Sequence, residues 1–356
     1  MIVEQNNPLN ENGEMKRFSR RDALRIFGGA GLGMFLTTAA NPVSIDGQTK
    51  EKSLAVKSAQ NINLQGNGFY RFKVGELECF VVSDGVINAP PPMFAANVPK
   101  AEADNALRDY FLSTNQLALQ VNTLLVRSGD KTVLIDTGSG ANLGPTTGQL
   151  ITNLAHAGFP PEAITDVVFT HAHGDHAGGN TDAAGKIAFP NARFHISQNE
   201  WETWTAKNVN LRQTRVDEQT RKFYIELAQK NLLSLKDRIQ IFKPGAEIVT
   251  GVSSVAAVGH TPGHTAYLIA SGNESVLHAG DFAHHFAFQI VHPEWFTAVD
   301  FEPQQAVATR KKLLDRAAAD RTLITGSHMP FPGVGHIRAR NQTRTSYEWI
   351  PVEWQW

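Results

Sequence analysis

A six-residue run, His171-Ala172-His173-Gly174-Asp175-His176, follows directly on a short apolar strand, Asp166 to Thr170, and limits what this chain can be more than anything else in it. Four side chains able to hold a metal ion are crowded into six positions. In an extended loop side chains alternate, so His171 and His173 can point to one side and grip one ion. Gly174 then lets the backbone turn and carry Asp175 and His176 toward a second position. Three imidazoles and a carboxylate suit zinc first, with manganese, iron and cobalt as alternatives. A solvated His-rich turn is the plain alternative, and Gly178-Gly179 immediately behind the run argues for close packing instead. Composition narrows the chemistry further: the chain has 13 histidines but one cysteine, Cys79, so it can form neither an intrachain disulfide nor an all-cysteine metal site.

The rest of the chain supplies strands in runs, followed by single helices. Phe69 to Val82 reads as two strands joined at Gly75 and ended by a turn at Ser83-Asp84-Gly85; a loop runs from Pro90 past Lys100. Strands are expected from Leu119 and from Lys131, a helix over Thr146 to Ala157, and helices between Asn199 and Leu233. Further strands fall at Ile239–Phe242, Ser254–Val258, Thr265–Ile269 and Ser275–His278, then a helix over Pro303 to Ala319 and a last strand ending before Gly326. Two such halves predict an α/β fold of α+β character: two mixed sheets face to face with helices outside, an αββα sandwich.

The N-terminus reads as an address. Residues 16–40 run from basic to apolar to small, and the apolar part, Ile26 to about Leu36, is short for a bilayer span. Arg20-Arg21 after Ser19 resembles a bacterial twin-arginine signal, so residues 1–40 are expected to direct export to the periplasm or beyond, with no stable membrane insertion after cleavage. Residues 41–67 are expected to be a flexible linker, and 68–356 the folded domain. With 33 Lys+Arg against 34 Asp+Glu there is no basic field for nucleic acid, which leaves a small molecule as the partner.

The run H-x-H-x-D-H after an apolar strand resembles that of the metallo-β-lactamase superfamily, and later motifs agree in type and order from about Tyr70 to Ile337. Gly259-His260-Thr261-Pro262-Gly263-His264 is similar to the family's second ligand motif, which implies His264 as the third ligand of the first metal. Asp281 falls where the family carries a carboxylate between two ions, His328 where it carries a ligand of the second, and Asp136 where a carboxylate orients ligands from behind. The resemblance thus implies two divalent ions, zinc first: His171, His173 and His264 on one, Asp175, His176 and His328 on the other, and Asp281 between. It also implies a metal-bridging hydroxide as nucleophile, with Asp175 or a metal-bound water passing a proton to the leaving group.

Val121-Asn122-Thr123 and Phe331-Pro332-Gly333-Val334-Gly335-His336-Ile337 resemble the branch containing methyl parathion hydrolase and quorum-quenching lactonases. This implies a dinuclear hydrolase that opens lactones or cleaves aryl esters and organophosphates, in an aromatic pocket for which Trp201, Trp204, Phe223, Tyr224 and Phe286 are available. His284, three residues after Asp281, stands where related lactonases often have a tyrosine, and is a candidate donor to the substrate oxyanion or leaving alkoxide. The alternatives are a mononuclear iron persulfide dioxygenase, a β-lactam hydrolase, which the lone upstream cysteine disfavours, and a scaffold holding its metals structurally. The branch contains dimers, so a homodimer is the assembly to look for.

Overall fold

The computed structural model describes residues 68–182 and 184–353. The export signal and linker expected over residues 1–67 lie outside the described residues. The first half carries β1 (Phe69–Val74), β2 (Leu77–Ala89), α1 (Lys100–Asp109), β3 (Leu117–Ser128), β4 (Lys131–Ile135), α2 (Leu150–His156), β5 (Asp166–Val168), α3 (Gly174–Ala177), β6 (Arg193–Ser197), α4 (Gln198–Thr205), α5 (Glu218–Leu233) and β7 (Ile239–Phe242). The second carries β8 (Glu247–Val249), β9 (Val252–Ala256), β10 (Thr265–Ser271), β11 (Glu274–His278), a π-helical turn (Phe286–Ile290), α6 (Pro303–Asp320), β12 (Leu323–Thr325), β13 (Val334–Ala339) and β14 (Tyr347–Pro351).

Each half closes one seven-stranded sheet, ordered β1 to β7 in the first and β14 to β8 in the second. The first sheet is antiparallel through β4 and parallel from β4 to β7; in the second only β11 and β12 run parallel. Strand alternation sorts the side chains into layers. Cys79 and Val81 on β2 and Leu124 and Val126 on β3 point inward, against Tyr267, Ile269 and Val276 of the other sheet. Phe80, Val82 and Leu125 point outward, into a layer with Leu107 of α1, Leu154 of α2 and Trp204 of α4. On the far side Leu313, Leu314 and Ala317 of α6 cover Ala266, Leu277 and Ile324. The expected αββα sandwich is what forms.

Three details differ from the sequence reading. Ser83-Asp84-Gly85 is not a turn: β2 runs through it with a bulge, because buried Asp84 accepts backbone N–H groups from Ser139, Gly148 and Leu150 instead of facing water. The segment around Lys100 is helical, opening after Pro99 and burying only Ala103, Asp104, Ala106 and Leu107, too few apolar positions to announce a helix. Two strands, β13 and β14, follow β12. Among the described residues no helix is long and apolar enough to cross a membrane.

Two buried histidines make acid the weak point of this packing. Burial pushes His285 down to about 3. It also pushes His278 down to about 4, against the pull of nearby Asp136 and Asp281. Unfolded, both take up protons below their ordinary value of 6.5, whereas folded they stay neutral over most of that window. Stability is therefore full above pH 6.5 and falls as pH drops, by about 1.4 kcal/mol per pH unit per histidine. Urea unfolding with chelator present should show a lower midpoint at pH 5 than at pH 7, and His285→Gln should flatten the dependence. A midpoint that does not move between these pH values would contradict the assignment.

Candidate metal centre

The strand ends bring the chemistry together. β4 delivers Asp136 in a left-handed conformation, φ 64°, which a short polar side chain tolerates and which turns its carboxylate under the next loop. Asp136 Oδ1 accepts the Thr170 N–H at 2.8 Å, and Oδ2 accepts the Thr170 hydroxyl and His176 Nδ1–H, both at 2.7 Å. His176 Nε2 thereby faces inward, buried, 3.3 Å from Asp281 Oδ1 and without a hydrogen bond among the described residues. Thr170 also faces His171 Nδ1 at 3.0 Å, and His328 Nδ1 faces the Gln120 carbonyl at 2.6 Å. The rings are thus held from behind with Nε2 pointing into one space.

Four groups of three ligand atoms result, each within 4.8 Å internally: Asp281 joins His171 and His176 in one and His260 and His284 in another, and two more lie on either side of it. The first of these two is His171, His173 and His260; His173 Nδ1 lies 3.0 Å from His171 Nε2 and 3.0 Å from His260 Nε2. The second is Asp175, His176 and His328, with His328 Nε2 at 3.4 Å and His176 Nε2 at 3.6 Å from Asp175 Oδ2. Asp281 stands between: its Oδ2 is 3.5 Å from His260 Nε2 and 3.2 Å from His328 Nε2, and its Oδ1 is 3.3 Å from His176 Nε2. Burial and neighbouring imidazoles hold His171 and His173 well below the usual histidine range, so both are neutral. Burial opposes the Asp281 charge, yet His176, His328 and His284 outweigh it and keep the carboxylate ionised. Imidazole nitrogens converging on a buried carboxylate, with Asp281 Oδ1 and His176 Nε2 lacking a hydrogen-bond partner among the described residues, are a donor set that suits two divalent cations.

The residue assigned as third ligand of the first group must be corrected from His264 to His260. Both nitrogens of His264 are committed: Nδ1 donates to the Ala257 carbonyl at 2.8 Å, and Nε2 accepts the Asp281 N–H at 2.8 Å. Gly280 makes that second bond attainable, since a Cβ there would come within 2.5 Å of His264 Nε2. His260 instead directs Nδ1–H onto Asp300 Oδ1 at 2.7 Å and turns Nε2 to the ligand cluster. His260→Ala should therefore lose one of two ions, whereas His264→Gln, able to replace at least one of these bonds, should keep both. Metal analysis of the two purified variants checks this, and the reverse pattern would restore His264.

The pocket is also built differently from expectation. A narrow cavity of about 40 Å³ over the ligands is lined by His173, Asp175, His260, Asp281, His284 and His328, walled by Ile87, Met93, Phe94, Leu119, Tyr224 and Val299. Of the five predicted aromatics only Tyr224 is there. Trp204 is fully buried behind His173, edge-on at 5.6 Å. Trp201 and Phe223 pack on the helical layer, and Phe286 turns away against Tyr110 and His285. His284 does line the cavity: its Nε2 lies 3.0 Å from Asp281 Oδ2, its ring stacks on His328 at 5.4 Å, and its Nδ1 is buried without a partner among the described residues.

Residues 117–328 match the family model described as the metallo-beta-lactamase superfamily. The chain belongs to that superfamily. Within the metallo-beta-lactamase superfamily it is similar to AidC, a dizinc quorum-quenching lactonase solved with a product, at 32% identity and a TM-score of 0.77, covering 81% of this chain and 98% of that one. The hydrolase AbOPH of the beta lactamase superfamily is 28% identical with a TM-score of 0.74, covering 82% and 99%. The N-acyl homoserine lactonase of Bacillus cereus is 29% identical over 129 residues, 36% of this chain; the chain spans 42% of the length of that curated relative.

Proposed function

We propose that this protein is a dinuclear metal-dependent hydrolase that opens lactones, zinc being its first-choice ion. The observation that carries the reading is the pair of ligand groups sharing Asp281 beneath an apolar cavity; the likeness to AidC over nearly the whole of that lactonase supports it. His171, His173 and His260 would hold one ion and Asp175, His176 and His328 the other, with Asp281 reaching both. When bound, such ions polarise a carbonyl oxygen and acidify water to make a nucleophile at neutral pH.

The chain's own residues do the remainder. Met93, Phe94, Leu119 and Val299 exclude bulk water and offer an apolar wall to an acyl or aryl substituent. Phe94 rests against the His284 ring, 5.7 Å between centroids, and fixes it over the site. His284, which lines the cavity, would hydrogen-bond the substrate, and Asp175, which lines the same cavity, would carry the proton to the leaving alkoxide. His284→Ala should then lower lactone turnover at least tenfold at unchanged metal content; unchanged turnover would remove His284 from the chemistry. We place the activity outside the cytoplasm on the strength of Arg20-Arg21 and the short apolar run that follows.

The deciding experiment is a substrate panel on the zinc- and manganese-loaded protein: an acyl-homoserine lactone, an aryl lactone, methyl parathion and a cephalosporin. The lactones are expected to give the highest kcat/KM. Faster cleavage of the phosphotriester or the cephalosporin would reassign the substrate class, and oxygen uptake with a persulfide in place of hydrolysis would overturn the reading.

A further inference from the structure

Behind the first ligand group lies a carboxylate that the chemistry above does not use. Glu200, on the first turn of α4, is fully buried. Its Oε1 accepts the Ala172 N–H at 2.9 Å and Trp204 Nε1–H at 2.6 Å; its Oε2 accepts the Thr261 hydroxyl at 2.7 Å and the Gly263 N–H at 3.0 Å. Burial pushes the Glu200 carboxyl up, but two donors on each oxygen pull the other way and leave no room for a proton of its own, so the group is held as a carboxylate. All four donors are neutral, and among the described residues Glu200 forms no ion pair.

The four donors map onto the first group. Ala172 is the residue between His171 and His173, Thr261 follows His260, and the Trp204 ring that Glu200 holds packs edge-on against His173. Gly263 is pressed so closely on α4 that a Cβ would come within 2.1 Å of the Glu200 nitrogen, and Ser197 Oγ donates to the Gly263 carbonyl at 2.6 Å. One side chain thus ties together the two loops that supply this group, one loop from each half of the sandwich. A buried anion without a protein cation also favours a positive charge nearby.

We propose that Glu200 is the positioning residue of the first ligand group, fixing the spacing of its three imidazoles and raising its affinity for a divalent cation through an otherwise unpaired charge. The proposal rests on the metal-binding reading of the site. Glu200→Gln keeps the shape but sets an amide NH₂ against two donors and removes the charge.

Zinc titration of the full chain against a competing chelator tests it. The parent should bind two ions; Glu200→Gln should weaken one of them at least tenfold and the other less than threefold, with an unchanged far-ultraviolet spectrum, and Glu200→Asp should fall between. Leu154→Ala, a core truncation on α2, serves as the stability control and should keep both affinities. If Glu200→Gln binds both ions within threefold of the parent, or loses affinity only to the extent that Leu154→Ala does, the proposal fails while the metal centre stands. If the parent binds no zinc, the metal reading fails and takes this proposal with it.

Discussion

Replacing Asp281 by alanine is expected to abolish the binding of at least one ion and to cut lactone opening about a thousandfold or more. Its carboxylate lies within 4 Å of nitrogens from both ligand groups, and it is buried among the imidazoles of His176, His260, His284 and His328. Without it the two sets of nitrogens face each other with no anion between them. Ion-dependent catalysis is worth several kcal/mol, and each ~1.4 kcal/mol is a factor of ten in rate, which sets the scale of the loss. Asp281→Asn should retain the packing yet lose most of the same function, separating charge from volume. Metal analysis and lactone kinetics on both variants decide it; near-parental activity in Asp281→Ala would remove this carboxylate from the centre of the scheme.

The second large effect is expected at Asp300, which stands directly behind His260. This fully buried carboxylate accepts His260 Nδ1–H at 2.7 Å and the Thr297 N–H at 3.0 Å, and stands 3.9 Å from Arg310 Nη2. Arg310, also fully buried on α6, donates to the carbonyls of Phe282, Pro293 and Trp295, and so clamps the segment that carries His284. Asp300→Ala leaves a guanidinium buried without its anion, at a cost of about 3–5 kcal/mol. It also frees the His260 ring, for a loss of about 10–100-fold in ion affinity. The double variant Asp300→Ala/Arg310→Met should regain much of the stability but none of the affinity. Chemical unfolding and zinc titration separate the two effects, and a double variant that recovered both would show that His260 needs no support from Asp300.

Much of this was readable in the sequence, for a definite reason. His171, His173, Asp175 and His176 are neighbours in the chain, so their convergence follows from loop periodicity and one glycine. The layers were readable because the strands come in runs before single helices, twice along the chain. His260 and His264 were not separable, since each belongs to the same motif and the choice between them depends on what each Nδ1 meets: Asp300, forty residues on, for one, and the Ala257 carbonyl for the other. The aromatic wall failed for a related reason. Trp204 and Tyr224 both lie on helices that pack over His173, and spacing along a helix does not say whether a ring passes behind a ligand or in front of it. The actual wall, Met93 and Phe94, comes from the proline-rich segment read as a plain loop.

Among the described residues no strand is exchanged between the two sheets; their ladders close separately, and near the site the halves meet through a few bonds such as Asn122 N–H to the Ser327 carbonyl and Thr265 N–H to the Thr170 carbonyl. Each ligand group takes two side chains from the first half and one from the second. The centre therefore works as a caliper across the seam. A change that swells the layer between the sheets, however distant in sequence, opens both coordination sets at once while leaving each ladder intact, so metal retention should register damage to the seam before circular dichroism does.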